Sequence, residues 1–307
     1  MINMNSSDKY KTEMESKRKR MVITGTSGFL GSRLYEFFSG DQFSRDYLVF
    51  APTHTQMDIT DKNAVQMYMK EIHPDIIIHS AAVSNTWTCQ QQPELSWNVN
   101  VEGTINIGRI CHELGSRLIF MSSDQVYNGE AGLLPHLENE VLTPSNIYGK
   151  HKLEAEQRLC NMEMDVVCLR LTWMFDYPKE GRVLNQNIIV NVLNALKQQT
   201  SIQSPIYEYR GVTYVWDVVK NMETVLDIPA GVYNYGSECS GNTYETIGFV
   251  FDSLGKGMEK EKLLFADKKR YMNQPRNLSM SIEKFKKTGI SFPSSYEGIL
   301  QCIKESN

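Results

Sequence analysis

Five short, unbroken apolar runs separated by amphipathic stretches constrain this chain more than any other feature. They are Met21-Val22-Ile23-Thr24, Tyr47-Leu48-Val49-Phe50, Ile76-Ile77-Ile78, Leu118-Ile119-Phe120-Met121 and Val166-Val167-Cys168-Leu169. A strand with one wet face alternates apolar and polar residues, whereas a run without alternation needs cover on both faces. The gaps hold Leu30 to Phe38, Lys62 to Ile72, Leu95 to Leu114 and Lys150 to Leu159, all with helical spacing of apolar residues. Strands alternating with helices predict parallel β-α-β units with right-handed crossovers. The expected fold is α/β, a doubly wound parallel sheet with helices on both faces.

The rhythm loosens after residue 178. Asn185 to Leu196 reads as a helix and Gly231-Val232-Tyr233-Asn234-Tyr235 as a further strand. This predicts a polar, disordered tail over 1–20 and a Rossmann domain over 21–177, with a return to the sheet near 212–236. Residues 178–211 and 237–307 are expected to form a smaller C-terminal substrate lobe. With 41% apolar and 22% charged residues among 307, the chain has the composition of a globular protein. Its 32 basic and 36 acidic residues leave a net charge of −4. That balance argues against nucleic acid or an anionic membrane as a partner. No run reaches the roughly 20 apolar residues of a membrane span, and residues 2 to 20 lack the apolar core of a secretory signal. A cytoplasmic location is the expectation. The six cysteines form no C-x-x-C and read as reduced thiols, and no metal site is expected.

The first chemistry lies in Thr24-Gly25-Thr26-Ser27-Gly28-Phe29-Leu30-Gly31. Glycines three apart, between the first strand and first helix, suit a dinucleotide's pyrophosphate. Gly25 makes the tight turn, Gly28 lets the backbone approach closely and Gly31 lets helix and strand pack. The helix N-terminus then faces the phosphates. The second run ends Phe50-Ala51-Pro52-Thr53-His54-Thr55, without the carboxylate that would bind the NAD ribose. NADPH is therefore expected, with NADH possible, and Thr53, Thr55 or Arg33 as receptors for the 2′-phosphate. Asp58, followed by Ile59, reads either as an adenine contact or as the cap of a helix beginning near Thr60.

The second motif is Tyr148-Gly149-Lys150-His151-Lys152. Tyr148 and Lys152 share a helix face. A phenol titrates near 10, and an adjacent ammonium favours its anion. Such a pair makes tyrosine a usable acid or base. Ser122-Ser123-Asp124 closes the fourth strand, at the sheet end where ligands bind.

Taken together, the Gly-rich loop, His79-Ser80-Ala81-Ala82, Asn100-Val101-Glu102-Gly103-Thr104, Ser122-Ser123-Asp124 and Tyr148-x-x-x-Lys152 resemble the extended short-chain dehydrogenase/reductases. Within them the chain looks like the dTDP-4-dehydrorhamnose reductase group. Met57-Asp58-Ile59-Thr60-Asp61, Pro93-Glu94-Leu95, Pro144 to Lys150 and Gln274 to Met280 carry that likeness. The resemblance implies NAD(P)H-dependent reduction of a 4-keto-6-deoxy nucleotide sugar, with Tyr148 as proton donor. Lys152 would bind the nicotinamide ribose and lower the Tyr148 pKa. Ser123 would bond the reacting oxygen, and Asn100 would support Lys152 through water. The cofactor would lie along Gly25, Ser27, Gly28, Phe29, Leu30, Gly31, Asp58, Ile59, Ala81 and Ala82, with Tyr148 and Lys152. The helices Leu95 to Leu114 and Lys150 to Leu159 resemble the pair that builds the family's dimer, so a homodimer is possible.

Departures narrow this reading. Related dehydratases carry Asp-Glu where this chain has Asp124-Gln125, and an amide cannot shuttle the proton that elimination requires. The reductase group's V-D-x-C-E loop is here Thr86-Trp87-Thr88-Cys89-Gln90, without its carboxylates, and Gln274 replaces an arginine. Two alternatives stay open: an epimerase holding NAD, and a non-catalytic NADP-binding regulatory subunit. Trp87 and Trp97 are candidates for the substrate pocket or for plain packing, and Trp173 and Phe175, after the fifth strand, for the core or for cofactor stacking. The connection 128–146 has the length of a lid. Lys268-Lys269-Arg270 and Arg276 are candidates for a diphosphate or for a solvated face.

Overall fold

In the computed structural model, which describes residues 18–130 and 132–306, the five apolar runs become five neighbouring strands. They are β1 (Lys19–Thr24), β2 (Tyr47–Phe50), β3 (Ile76–His79), β4 (Arg117–Ser123) and β5 (Val166–Leu171). Three short parallel pairs stand apart: β6 (Trp173–Phe175) with β9 (Val212–Tyr214), β7 (Ile202–Pro205) with β11 (Leu264–Asp267), and β8 (Glu208–Arg210) with β12 (Arg276–Leu278). β10 (Gly231–Tyr235) returns to the main sheet, whose order is β10-β5-β4-β3-β1-β2, parallel throughout.

The unbroken runs are explained by cover on both faces. Met21 and Ile23 pack with Leu30, Leu34 and Val218 on one side of the sheet. Val22, between them, packs with Ile105, Ile110 and Leu159 on the other. The helices that supply this cover include α1 (Phe29–Phe38), α2 (Lys62–Ile72), α5 (Thr104–Leu114) and α6 (Ile147–Cys160). Two shorter helices, α3 (Thr86–Gln91) and α4 (Pro93–Trp97), lie between β3 and α5.

Two boundaries differ from expectation. β1 starts at Lys19, because the Arg20 backbone N–H donates to Asp75 Oδ2 at 2.7 Å and its guanidinium donates to the Ile72 carbonyl at 2.7 Å. The rest of the expected tail, residues 1–17, lies outside the described residues. Leu95 to Leu114 is not one α-helix: residues Asn98–Gly103 form a π-helical stretch between α4 and α5. Among the described residues, no helix is long and apolar enough to cross a membrane.

The chain leaves β1 toward β2 on one side and places β3 on the other. The sheet order therefore reverses beside β1, which opens a crevice at the carboxyl ends of β1 and β3. Thr24 and His79, in register, end those two strands.

Candidate active site

The glycines after β1 shape that crevice. Gly25 turns the chain at φ +73°, and a β-carbon there would lie 2.6 Å from the Ala81 nitrogen. A β-carbon on Gly31 would lie 2.2 Å from the Gly25 carbonyl oxygen. Only the bare backbone fits, so β1, α1 and the segment after β3 meet closely. Gly28 caps α1 without a side-chain hydrogen bond, and no acidic residue lies in the first turn. The helix therefore presents free N–H groups and its positive end to the crevice. Ser27 and Gly28 are exposed there, and Ala81 and Ala82 form a half-buried wall. Leu30 turns its side chain into the core, which leaves its backbone for a ligand. Beneath the loop, the Thr24 hydroxyl bonds His79 Nδ1 at 2.8 Å, and His79 Nε2 bonds the Thr104 hydroxyl at 3.1 Å. This glycine-lined cradle fits a dinucleotide pyrophosphate.

Around the adenosine end the structure overturns the expected role of Arg33 and the capping reading of Asp58, and leaves Thr53 and Thr55 exposed. Arg33 is buried and does not face the crevice. Its guanidinium donates to Asp176 Oδ2 at 2.6 and 2.9 Å and to the carbonyls of Phe29 and Val183, and it stacks on the Phe29 ring. It is a structural pin and no phosphate receptor. Thr53 is tied to Thr55 and Gln56. Asp58 caps no helix. Its carboxylate accepts the Thr60 N–H and hydroxyl, which hold it below the usual carboxylate range, and Asp61 caps α2. Ile59 is buried against Gly103.

The second cluster forms where α6 meets the end of β4. Asn146 caps α6 by accepting the Gly149 N–H at 2.6 Å. A β-carbon on Gly149 would sit 2.1 Å from the Gln125 carbonyl oxygen, so glycine is what lets α6 lie against the turn after Ser123. That approach brings Tyr148 to Ser123. Both are buried and close enough for Ser123 to act on the phenol, while the Ser123 hydroxyl itself donates to Asp124 Oδ1 and accepts the Gln125 N–H, each at 3.2 Å. Burial pushes the Tyr148 phenol well above its ordinary pKa, the neighbouring Cys89 and Asp124 add to this, and the nearby Ser123 hydroxyl opposes it. The resemblance implied a phenol lowered by Lys152, and here desolvation wins and the phenol stays protonated. Lys152, only 3% exposed, donates to the Met121 carbonyl at 2.8 Å and lies over the Phe120 and Tyr148 rings at 4.7 and 5.9 Å. Burial pulls its ammonium down to about 8, against the opposing pull of Glu156.

Asn100 lies in the π-helical stretch. Its Oδ1 accepts the Val83 N–H at 2.8 Å and its Nδ2 donates to the Val83 carbonyl at 2.9 Å. It clamps the loop after β3, and the Ser96 hydroxyl, which it also contacts, bonds His151 Nδ1 at 2.9 Å.

Two arginines converge beside Ser123. Arg210 donates to Asp124 Oδ2 at 2.6 Å and stacks over Trp173. Arg276 donates to Gln125 Oε1 at 2.8 Å and to Glu208 Oε1 at 2.7 Å. Each keeps a buried Nε–H without a partner. Sequence reasoning named Arg276 but missed Arg210, since nothing in Glu208-Tyr209-Arg210 marks a site until β8 is paired with β12. Gln125 also receives the Asn146 amide and donates to Asp124, so it links the cluster. Lys268, Lys269 and Arg270 sit in an exposed turn closed by Asp267. Trp87 is exposed, Trp97 is covered by Arg158, and Phe175 is core. The connection 128–146 is stitched down: His136 N–H donates to the Ser279 carbonyl at 2.8 Å, and Asn277 Nδ2 donates to the Leu134 carbonyl at 2.7 Å.

The family model described as the RmlD substrate binding domain matches residues 19–307. Methionine adenosyltransferase 2 subunit beta of Xenopus tropicalis is 25% identical over 282 residues, covering 89% of this chain and 83% of that protein. The same subunit from Bos taurus is 28% identical, but the match spans 53% of this chain and 49% of that protein. The dTDP-4-dehydrorhamnose reductase of Mycolicibacterium smegmatis is 23% identical, over 85% of this chain and 77% of that one. A solved dTDP-4-dehydrorhamnose reductase from Bacillus anthracis, in complex with NADP, superimposes with a TM-score of 0.83 at 22% identity, covering 94% and 100% of the two chains. That likeness establishes the shared fold. With a match over nearly its whole length, the chain belongs to the RmlD substrate binding domain family, within the extended short-chain dehydrogenase/reductases.

Proposed function

We propose that this protein reduces the keto group of a 4-keto-6-deoxy nucleotide sugar with NADPH, the step of a dTDP-4-dehydrorhamnose reductase in dTDP-rhamnose biosynthesis. The observation that carries this reading is the buried meeting of Ser123, Tyr148 and Lys152 beside a glycine cradle. When bound, the nicotinamide supplies the hydride. The Ser123 and Tyr148 hydroxyls bond the substrate carbonyl oxygen, where negative charge develops. Tyr148, held protonated by burial, gives its proton to that oxygen. Lys152, with its ammonium near 8, is charged at neutral pH and stabilises the phenolate left behind. Arg210 and Arg276 suit the substrate diphosphate, because guanidinium forks match phosphate oxygens. The end of β2 offers no carboxylate to repel a 2′-phosphate, so NADPH is the preferred donor over NADH.

The test is purified protein with NADPH and dTDP-4-keto-6-deoxyhexose, followed by loss of the reduced-nicotinamide absorbance. Tyr148→Phe should lower kcat by roughly 10²–10⁴ while NADPH affinity stays within about twofold. No oxidation of NADPH with any nucleotide keto-sugar would overturn the reading. Tightly bound NAD and substrate turnover without net oxidation would mark an epimerase instead.

A second reading, a nucleotide-binding regulatory subunit, is favoured by the relatives that carry the name of a methionine adenosyltransferase subunit. The segment Thr86 to Gln90, which lacks carboxylates, agrees with it. In that case added protein would alter a methionine adenosyltransferase's kinetics, and Tyr148→Phe would alter them no further.

A further inference from the structure

Glu156 is a carboxylate sealed inside the molecule, 2% exposed, one turn beyond Lys152 on α6. It accepts a hydrogen bond from the Ser122 hydroxyl. It also accepts Arg170 Nε at 3.1 Å and Nη2 at 2.8 Å. Ser122 and Arg170 are register partners on β4 and β5. One carboxylate thus ties α6 to two sheet strands. The residues on either side of Ser122 are those the candidate site uses: Met121, whose carbonyl holds Lys152, and Ser123, which lies beside Tyr148. Arg170 reaches on to the Tyr127 hydroxyl at 2.7 Å and the Glu138 carbonyl at 3.3 Å, and Tyr127 bonds Asn234 at 2.7 Å. The network therefore spans α6, β4, β5, β10 and the 128–146 connection.

We propose that Glu156 is a positioning residue for the reductase reading above: it locks α6 onto β4 so that Lys152 and Tyr148 face Ser123, and it supplies the buried anion behind the Lys152 ammonium. The groups facing Lys152 are Glu156 and Tyr148 on α6, Cys89 on α3, His79 on β3 and Cys168 on β5. Of these, Glu156 is the one carboxylate, and it is the largest influence opposing desolvation of the ammonium. Facing Glu156 are Arg170 and Cys168 on β5, Tyr127 after β4, and Cys160 and Lys152 on α6. Arg170 is the ion-pair partner of Glu156, through Nε and Nη2, so loss of the carboxylate would leave two buried cations, Arg170 and Lys152, without it.

The test compares full-length wild type with Glu156→Gln, Glu156→Asp and Ser122→Ala. Lysine labelled with ¹³C at the ε-carbon, with Lys152→Met to assign the signal, reports the Lys152 titration by NMR without any turnover. In Glu156→Gln the Lys152 midpoint should move down by a pH unit or more, with partial recovery in Glu156→Asp. Where reduction is measurable, the alkaline loss of kcat should move to lower pH by the same amount, with KM changed less than threefold. Ser122→Ala keeps the charge but loses the link, so kcat should fall about tenfold without a shift in the profile. If Glu156→Gln does not fold, the proposal stands or falls on Ser122→Ala and Glu156→Asp: wild-type kcat in Ser122→Ala overturns the positional part, and an unmoved Lys152 midpoint in Glu156→Asp the electrostatic part. A wild-type Lys152 titration in a folded Glu156→Gln protein overturns it outright. Absence of reductase activity in wild type would count against the proposed function alone, because the NMR titration still reads Lys152.

Discussion

Arg33 stands four residues beyond Phe29, at the opening of the helix that follows the glycine loop, where a guanidinium within reach of a 2′-phosphate is a natural reading. The fold uses it otherwise. Its guanidinium makes four hydrogen bonds, two to Asp176 and one to each of two carbonyls, and 1% of the residue is exposed. Arg33→Ala should therefore cost about 3–5 kcal/mol, the scale for orphaning one member of a buried ion pair, in urea unfolding. The ratio of NADPH to NADH affinity should not change; a collapse of that ratio would return Arg33 to the cofactor site. Arg210 is the converse case. It is invisible in sequence and pairs with Asp124 beside Ser123. Arg210→Ala should raise KM for a nucleotide sugar by roughly 10–100-fold, the worth of a charge-assisted bond, and leave NADPH affinity unchanged. An unaltered KM would remove Arg210 from substrate binding. Tyr148 and Lys152 were legible as a pair because four residues is one helical turn. Their titration was not, because it depends on how deeply Gly149 lets α6 sink against Gln125.

At the scale of elements, the loop and helix after β1 read directly from sequence, since turn, close approach and packing each demand a glycine at a set place. Gly31→Ala tests the packing. The added carbon would stand 2.2 Å from a backbone oxygen that has no rotamer to escape into. NADPH affinity should fall at least tenfold, with about 1–3 kcal/mol of overpacking strain, seen by calorimetric titration and thermal unfolding. Ser27→Ala, at an exposed position in the same loop, should leave stability within about 0.5 kcal/mol. The helix expected over 95–114 was right in place but wrong in pitch. A period of apolar residues does not distinguish an α-turn from the wider π-turn over Asn98–Gly103. That turn brings the Asn100 amide to both backbone groups of Val83, a partner remote in sequence. The 128–146 connection has a lid's length, but what decides its freedom is the distant strand residue Asn277 and the neighbouring Ser279.

For the whole molecule, acid stability carries the signature of buried groups. His79 is fully buried between Thr24 and Thr104, with its pKa pulled from 6.5 to about 3, by desolvation first and by Lys152 second. The unfolded chain takes up a proton below about 6.5 that the folded protein refuses until about 3. Stability contributed at this site is thus complete above pH 6.5 and lost as pH falls through that window. The slope is up to one proton, about 1.4 kcal/mol per pH unit. His79→Gln should flatten the acid limb of the stability curve by that slope, and equal slopes in the two proteins would show that His79 already charges in the fold. Asp217, raised by burial to about 6, works with the opposite sign, since its folded form holds a proton the unfolded chain has released between about 3.8 and 6.

The linear chain by itself determined the layering, the strand sequence from β1 to β5 and the glycine loop. Each follows from local rules: doubly covered strands must be apolar throughout, helices must carry a stripe, and a tight turn against a strand must lack a side chain. Only the tertiary structure decided which polar groups are sealed from water and what they meet there. Burial and distant partners fix a charge's state, and so Arg33 became a pin, Arg210 a neighbour of Ser123, Tyr148 a protonated phenol and Glu156 the anion behind Lys152.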